Sequence, residues 1–98
     1  MKITWSPLAV DQVQDITIYI ALDKPSVAVQ WADKIFNSVE QLSEHPESGR
    51  IVPEINRKEI RELVQGNYRV IYKIKPKEIL VLVVKSYRQQ LKEGEIKT

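Results

Sequence analysis

The sequence has no cysteine, which excludes disulfide scaffolds, thiolate zinc sites and a cysteine nucleophile. Its single histidine, His45, rules out histidine-clustered metal sites and a serine triad. Nor is there a long hydrophobic run: Ile79 to Val84, the longest, falls far short of the ~20 residues a membrane-spanning helix needs. The opening Met1-Lys2-Ile3-Thr4-Trp5-Ser6-Pro7 carries no apolar signal core and soon meets Asp11 and Asp15. A cytoplasmic location with no membrane partner is expected. Repeats, low-complexity tracts and linkers are also missing. What remains is 98 residues, 43% apolar and 29% charged. That suffices for one modest core, so residues 1–98 read as a single domain with no cofactor or metal expected.

Charge is unevenly spread. Residues 1–49 hold three lysines against seven aspartates and glutamates, whereas residues 50–98 hold twelve lysines and arginines against six glutamates. An acidic first half and a basic second half suit either a face for a polyanion or acidic partner, or plain solvated surface.

Lys2 to Trp5, β-branched and aromatic, reads as a short strand. Ser6-Pro7 then starts a helix, with serine as N-cap and proline in the first turn. Ala9, Val13, Ile16 and Ile20 repeat at helical spacing until Leu22-Asp23-Lys24-Pro25 breaks the pattern. In a second helix, Ala28, Ala32, Ile35, Val39 and Leu42 form an apolar stripe, widened by Val27, Trp31 and Phe36. Glu44 to Gly49, with its proline and glycine, ends that helix, where His45 suits the C-terminal dipole better than catalysis. The period then changes. Arg57 to Val64, Asn67 to Lys75 and Glu78 to Ser86 read as strands, with turn signals at Gly66-Asn67 and Pro76-Lys77. Connections this short force neighbouring strands to be antiparallel. The expected architecture is α+β in the order β-α-α-β-β-β, an N-terminal helical hairpin packed on one face of an antiparallel sheet. Gln89 to Thr98 is polar and reads as a frayed tail.

A two-residue loop at Pro76-Lys77 sets Ile74 opposite Ile79, Tyr72 opposite Val81 and Val70 opposite Val83, a core-facing set. The other side then carries Arg69, Ile71, Lys73, Leu80, Leu82 and Val84. A tight hairpin from Gln65 to Tyr68 adds Ile60, Glu62 and Val64 to it. Such an apolar, cation-studded face is too greasy to stand in bare solvent. Either another molecule covers it or the C-terminal tail folds back over it. A slip of one residue would exchange the two faces.

Several stretches resemble, in order, the RelE/ParE family of type II toxin–antitoxin toxins. They are Trp5-Ser6-Pro7-Leu8-Ala9 with Ile16 and Tyr19-Ile20-Ala21, then Gly49-Arg50-Ile51-Val52-Pro53-Glu54. Arg61-Glu62-Leu63 follows, then Gly66-Asn67-Tyr68-Arg69-Val70-Ile71-Tyr72. A hydrophobic last strand ending in basic residues, Val81 to Arg88, completes a likeness that spans residues 3–88. The resemblance implies a small toxin of the plasmid stabilisation type, silenced by a cognate antitoxin, on the same β-α-α and antiparallel-strand fold. Branches of the family differ in target. RelE-like members cleave messenger RNA in the ribosomal A site, and ParE-like members block DNA gyrase without known catalysis.

Cleaving RNA through its own 2′-hydroxyl needs a base, cations for the phosphate and an acid for the leaving oxygen. Arg69 matches the sheet arginine of RelE-like enzymes, but the positions where those carry lysines align with Ile60 and Glu62. Isoleucine does no proton chemistry, and a carboxylate repels the phosphate. A ribonuclease would have to work with Arg69, Glu62, Tyr87 and Arg88. Arg61-Glu62-Leu63 and Val52-Pro53-Glu54 look more ParE-like, with Lys85 standing where such toxins commonly carry histidine. The expectation is a ParE-like inhibitor of DNA gyrase that acts by binding. The alternatives are a RelE-like ribosome-dependent mRNA endoribonuclease and a non-toxic, degenerate binding module.

The expected contact surface for target or antitoxin comprises Arg69, Ile71, Lys73, Leu82, Val84, Lys85 and Arg88. An apolar, acidic C-terminal segment of the antitoxin would order itself over the toxin there. A homodimer is also compatible with the sequence. Plainer roles compete. Arg69 pairs with Glu62 across the hairpin as readily as it meets a target, and Arg61 suits a helix carboxylate better than a target. Trp5 and Trp31 suit core packing rather than base stacking, and Tyr68 and Tyr72 lie on the core side. Asp11 and Asp15, four apart on one helix face, suit a solvated face better than a Mg²⁺ site.

Overall fold

Ser6 fixes how the chain enters its first helix. In the computed structural model, which describes residues 1–96, β1 (Lys2–Trp5) runs directly into α1 (Pro7–Ala21). Ser6 Oγ accepts the Ala9 N–H at 3.0 Å and donates to the Leu82 carbonyl at 2.9 Å. One hydroxyl therefore caps the helix and ties it to the sheet. Ser6→Ala is expected to cost ~1–2 kcal/mol in urea unfolding, toward the top of the capping range because a carbonyl loses its donor as well.

A short break leads to α2 (Pro25–Glu40), again opened by a proline in the first turn, and a 3₁₀ turn over Gln41–Ser43 closes the helical half. Four strands follow: β2 (Arg50–Ile51), β3 (Ile60–Gln65), β4 (Tyr68–Ile74) and β5 (Glu78–Ser86). The five strands form one sheet in the order β1-β5-β4-β3-β2. The expected α+β layout is present with two additions. One is β2, a two-residue strand too short to show a period. The other is the parallel pairing of β1 with β5, which the long return through both helices permits.

The helical stripe buries Ala9, Val13, Trp31, Ile35, Val39 and Leu42 against Val70, Tyr72, Ile79, Val81 and Val84. Trp31 meets Tyr68 edge-on at 5.2 Å and Trp5 packs on Phe36 at 5.3 Å, so both indoles serve packing. Gln65 pairs with Tyr68 around Gly66-Asn67, where Gly66 takes φ 61°, a conformation that only glycine adopts cheaply.

The pairs Ile74–Ile79 and Tyr72–Val81 form as expected, but a β-bulge then sets Ile71 opposite Val83 and Val70 opposite Val84. The extra β5 residue resets the alternation. Val84, expected on the outer face, therefore faces the helices, and Val83 takes its place outside.

That outer face is not bare. Ile60, Ile71, Leu80, Leu82 and Val83 form a second apolar cluster with Val52 and with two tail residues, Leu91 and Ile96. The tail, expected to fray, folds back over the sheet and ends in a 3₁₀ turn, Glu93–Ile96, leaving Leu91 and Ile96 only 4% and 5% exposed. The driving force is the removal of both apolar surfaces from water. Residues 97 and 98 of the expected tail lie outside the described residues.

Candidate functional site

Arg69 is the second residue of β4, beside the Gly66-Asn67 turn, and pairs with Lys85 of β5. Its direct partner across the hairpin is Val64, so Glu62 of β3 reaches it diagonally. Arg69 Nε donates to Glu62 Oε1 at 2.6 Å, while Nη1 and Nη2 donate to the two oxygens of Glu54 at 2.7 and 2.9 Å. Nη1 also donates to the Gln89 carbonyl at 3.0 Å. Glu62 Oε2 accepts from Arg50 Nε, so both oxygens of that fully buried carboxylate are engaged by guanidinium groups. Glu54 comes from the turn after β2, where the Ile55 and Asn56 N–H groups both donate to the Val52 carbonyl and Asn56 takes φ 56°. Its Oε2 accepts the Leu91 N–H at 2.9 Å.

The electrostatics follow from that geometry. Hydrogen bonds from Arg69, with help from the Leu91 N–H and against the cost of burial, hold the Glu54 carboxyl at about 2. The same two carboxylates raise the Arg69 guanidinium further, its bonds to Glu54 contributing most. This is a buried, charge-assisted network in which every Arg69 nitrogen already has an acceptor.

The residues expected to form the site are only partly brought together. Arg69 and Glu62 meet, but each is closed off by the other and by Glu54 and Arg50. Ile71 and Leu82 lie beneath the tail, and Val84 lies on the opposite face. Lys85 Nζ is engaged by the Gln90 carbonyl at 3.0 Å and by Glu95 Oε1 at 2.6 Å. Lys73 is half-buried, and Tyr87 and Arg88 are exposed just past β5, with the Tyr87 N–H tied to the Asn67 carbonyl at 2.7 Å. Arg61 turns out to serve backbone, not a helix carboxylate: it donates to the carbonyls of Lys58, Glu47 and Gly49. The loops around it supply those carbonyls, whereas among the described residues no helix carboxylate is bonded to it.

Sequence reasoning missed Glu54, Arg50 and Leu91 as members of the network. Glu54 was visible as the end of Val52-Pro53-Glu54, and Leu91 as a lone apolar residue in a polar tail. A separate cleft of about 690 Å³ opens at the tip of the helical hairpin, lined by Tyr19, Leu22, Val27, Trp31 and Tyr68. Tyr19 and Leu22 there are 70% and 82% exposed. Among the described residues no cluster of three His, Asp or Glu side chains could hold a metal, and no helix is long and apolar enough to cross a membrane.

Comparison with known proteins gives the family and the fold. A family model described as the ParE toxin of the type II toxin–antitoxin system, parDE, matches residues 3–91. A solved structure titled "Chromosomal ParDE TA system from P. aeruginosa" shares the fold with a TM-score of 0.71 and 22% identity, covering 88% of this chain and 95% of that one. No curated protein matches the sequence.

Proposed function

Because the chain belongs to the ParE toxin family of type II toxin–antitoxin systems, we propose that it inhibits DNA gyrase by binding it and that a cognate antitoxin neutralises it. One observation carries the choice of binding over catalysis. The guanidinium that an RNA-cleaving relative would present to the phosphate is buried here, its nitrogens all bonded to Glu62, Glu54 and Gln89. Its neighbour Glu62 has no free oxygen with which to take a proton from a hydroxyl. A target is met instead by what the surface offers: Arg88, Tyr87 and Lys73, with the outward part of Arg50. Arg69, Ile71, Leu82 and Lys85 join that surface only when the tail is away.

Controlled induction in bacteria tests the proposal. Filamentation and a DNA-damage response with continuing translation are expected, together with loss of gyrase supercoiling activity when the purified protein is added. Rapid arrest of translation with codon-phased cuts in messenger RNA would overturn it in favour of a ribonuclease. Harmless overexpression of folded protein would leave a non-toxic binding module.

A further inference from the structure

Much of the positive charge in the second half of the chain gathers at one end of the sheet. Lys2 opens β1 opposite Glu78 of β5, and Lys73 of β4 lies between Ile60 and Leu80. The Lys75 N–H closes the Pro76-Lys77 turn on the Glu78 carbonyl, and the Ile74 N–H bonds the Glu59 carbonyl, which brings Lys58 alongside. Ile3 and Ile74 pack on the helical core, so the pleat sends Lys2, Lys73 and Lys75 to the other side. Four adjacent strands at ~4.8 Å spacing make this row ~14 Å wide. Among the described residues, none of these five lysines lies within ion-pair distance of a carboxylate; Arg50, Arg57, Arg69 and Lys85 make the salt bridges instead. Glu59 and Glu93 share Arg57, and Lys58 borders a shallow cleft with Glu47 and Arg61. Five lysines with Arg57 and Arg61 thus face Glu47, Glu59, Glu78 and Glu93, a surplus of three positive charges.

We infer that this lysine row is a sequence-independent contact for the phosphate backbone of duplex DNA. Its composition decides against a protein or membrane surface. Such partners need apolar anchors, and of the exposed large hydrophobic side chains only Met1 adjoins the row. Base reading is also absent, because Arg57 and Arg61 are engaged by carboxylates and carbonyls and offer no free fork. An ammonium on a flexible stem is a point charge that meets phosphate without fixed geometry. The helical half carries the opposite sign: Asp11, Asp15, Asp23, Asp33 and Glu40 are all exposed. A polyanion is therefore repelled from the helices and steered to the sheet end. The choice of duplex DNA rests on the gyrase reading, since an enzyme that acts on duplex DNA holds that backbone beside anything bound to it. The nine residues of β5 place the row ~30 Å from Tyr87 and Arg88, so the enzyme and its DNA are reached from opposite ends of one strand.

Fluorescence anisotropy of the full-length protein with a labelled DNA duplex of arbitrary sequence tests this. Affinity should fall about a hundredfold between about 50 and 200 mM salt, the loss expected for about four neutralised phosphates. Lys2→Gln, Lys58→Gln, Lys75→Gln and Lys77→Gln together should weaken binding at least tenfold and flatten the salt dependence. Lys73, half-buried and part of the surface offered to the target, stays in place. Each substitution alone should lower the salt slope by about one, which keeps the test valid if the fourfold variant folds poorly. The four positions changed to arginine should bind at least as well as the unaltered protein. No binding in low salt, or undiminished affinity in the neutralised variants, would overturn the inference. So would tighter binding to single-stranded RNA or to phosphatidylserine vesicles than to the duplex. The supercoiling assay judges the gyrase reading separately. Gyrase inhibition without duplex binding keeps that reading and removes the DNA contact, and duplex binding without inhibition does the reverse.

Discussion

Replacing Arg69 with alanine is expected to lower the free energy of unfolding by ~3–5 kcal/mol, a large part of the ~5–15 kcal/mol that holds a domain of this size together. The cost does not come from the loss of attraction alone. Glu62, whose side chain has no exposure, would keep a single partner, and Glu54 would lose both nitrogens that grip it. Burying a carboxylate without its counter-charge is the expensive part. Arg69→Lys should recover only a fraction, because one ammonium cannot reach Glu62 and both oxygens of Glu54 together. Removing the charge pair as a unit, with Arg69→Met and Glu62→Leu, should cost less than Arg69→Ala does. Urea unfolding with an unchanged m-value is the measurement. A loss below ~1 kcal/mol for Arg69→Ala would mean that the network is solvated and does not hold the fold.

The acid limb of the stability curve carries an independent signature of the same network. Glu54 titrates at about 2 in the folded protein, against its ordinary 4.5. Between those values the unfolded chain binds the proton and the native chain does not, so stability falls as pH falls. The Glu54 contribution is therefore complete above pH 4.5 and is lost progressively toward about 2. In Arg69→Ala the main cause of the depression is gone, and the acid limb should flatten across that window. Parallel acid limbs in the two proteins would show that Arg69 does not set the Glu54 titration.

How much of this could be read from the sequence depended on whether a residue sat in a periodic pattern. The helical stripe from Ala28 to Leu42 and the pairs Ile74–Ile79 and Tyr72–Val81 followed from spacing and turn length. The bulge did not, because Ile79 to Val84 is apolar at every position and fits either face, so nothing marks where the alternation resets. Leu91 and Ile96 were outweighed by their polar neighbours, although two apolar side chains suffice when a greasy floor awaits them. Arg69 and Glu62 stood in plain view, but the sequence could not say that Glu54, fifteen residues before Arg69, would arrive from a turn to close the network. Long-range polar closure has no local period.

Gly49→Ala should cost ~1–3 kcal/mol, at the upper end of that overpacking range. Gly49 is buried where the loop after the helical hairpin enters β2, and an added Cβ would lie 2.6 Å from the Glu62 carbonyl oxygen, 2.6 Å from Tyr72 Oη and 2.9 Å from Tyr72 Cε1. The first of these is strand backbone and the ring is fully buried, so neither can swing away. The close approach has a purpose: the Gly49 N–H donates to Tyr72 Oη at 3.0 Å, and that hydroxyl donates to the Pro46 carbonyl at 2.7 Å. Burial pushes the Tyr72 phenol above its ordinary range and keeps it a donor. Tyr72→Phe should itself cost ~1–3 kcal/mol by orphaning a buried N–H and a carbonyl. In the double variant the hydroxyl that collides with the new methyl is gone and only the strand oxygen and ring edge remain. The two losses should then sum to less than the singles predict, by ~0.5 kcal/mol or more in a double-mutant cycle. Strict additivity would mean that the added methyl escapes the tyrosine altogether and that β2 yields instead. Arg50, next in the chain, would then be drawn off Glu62, a shift that amide chemical shifts along β3 would report.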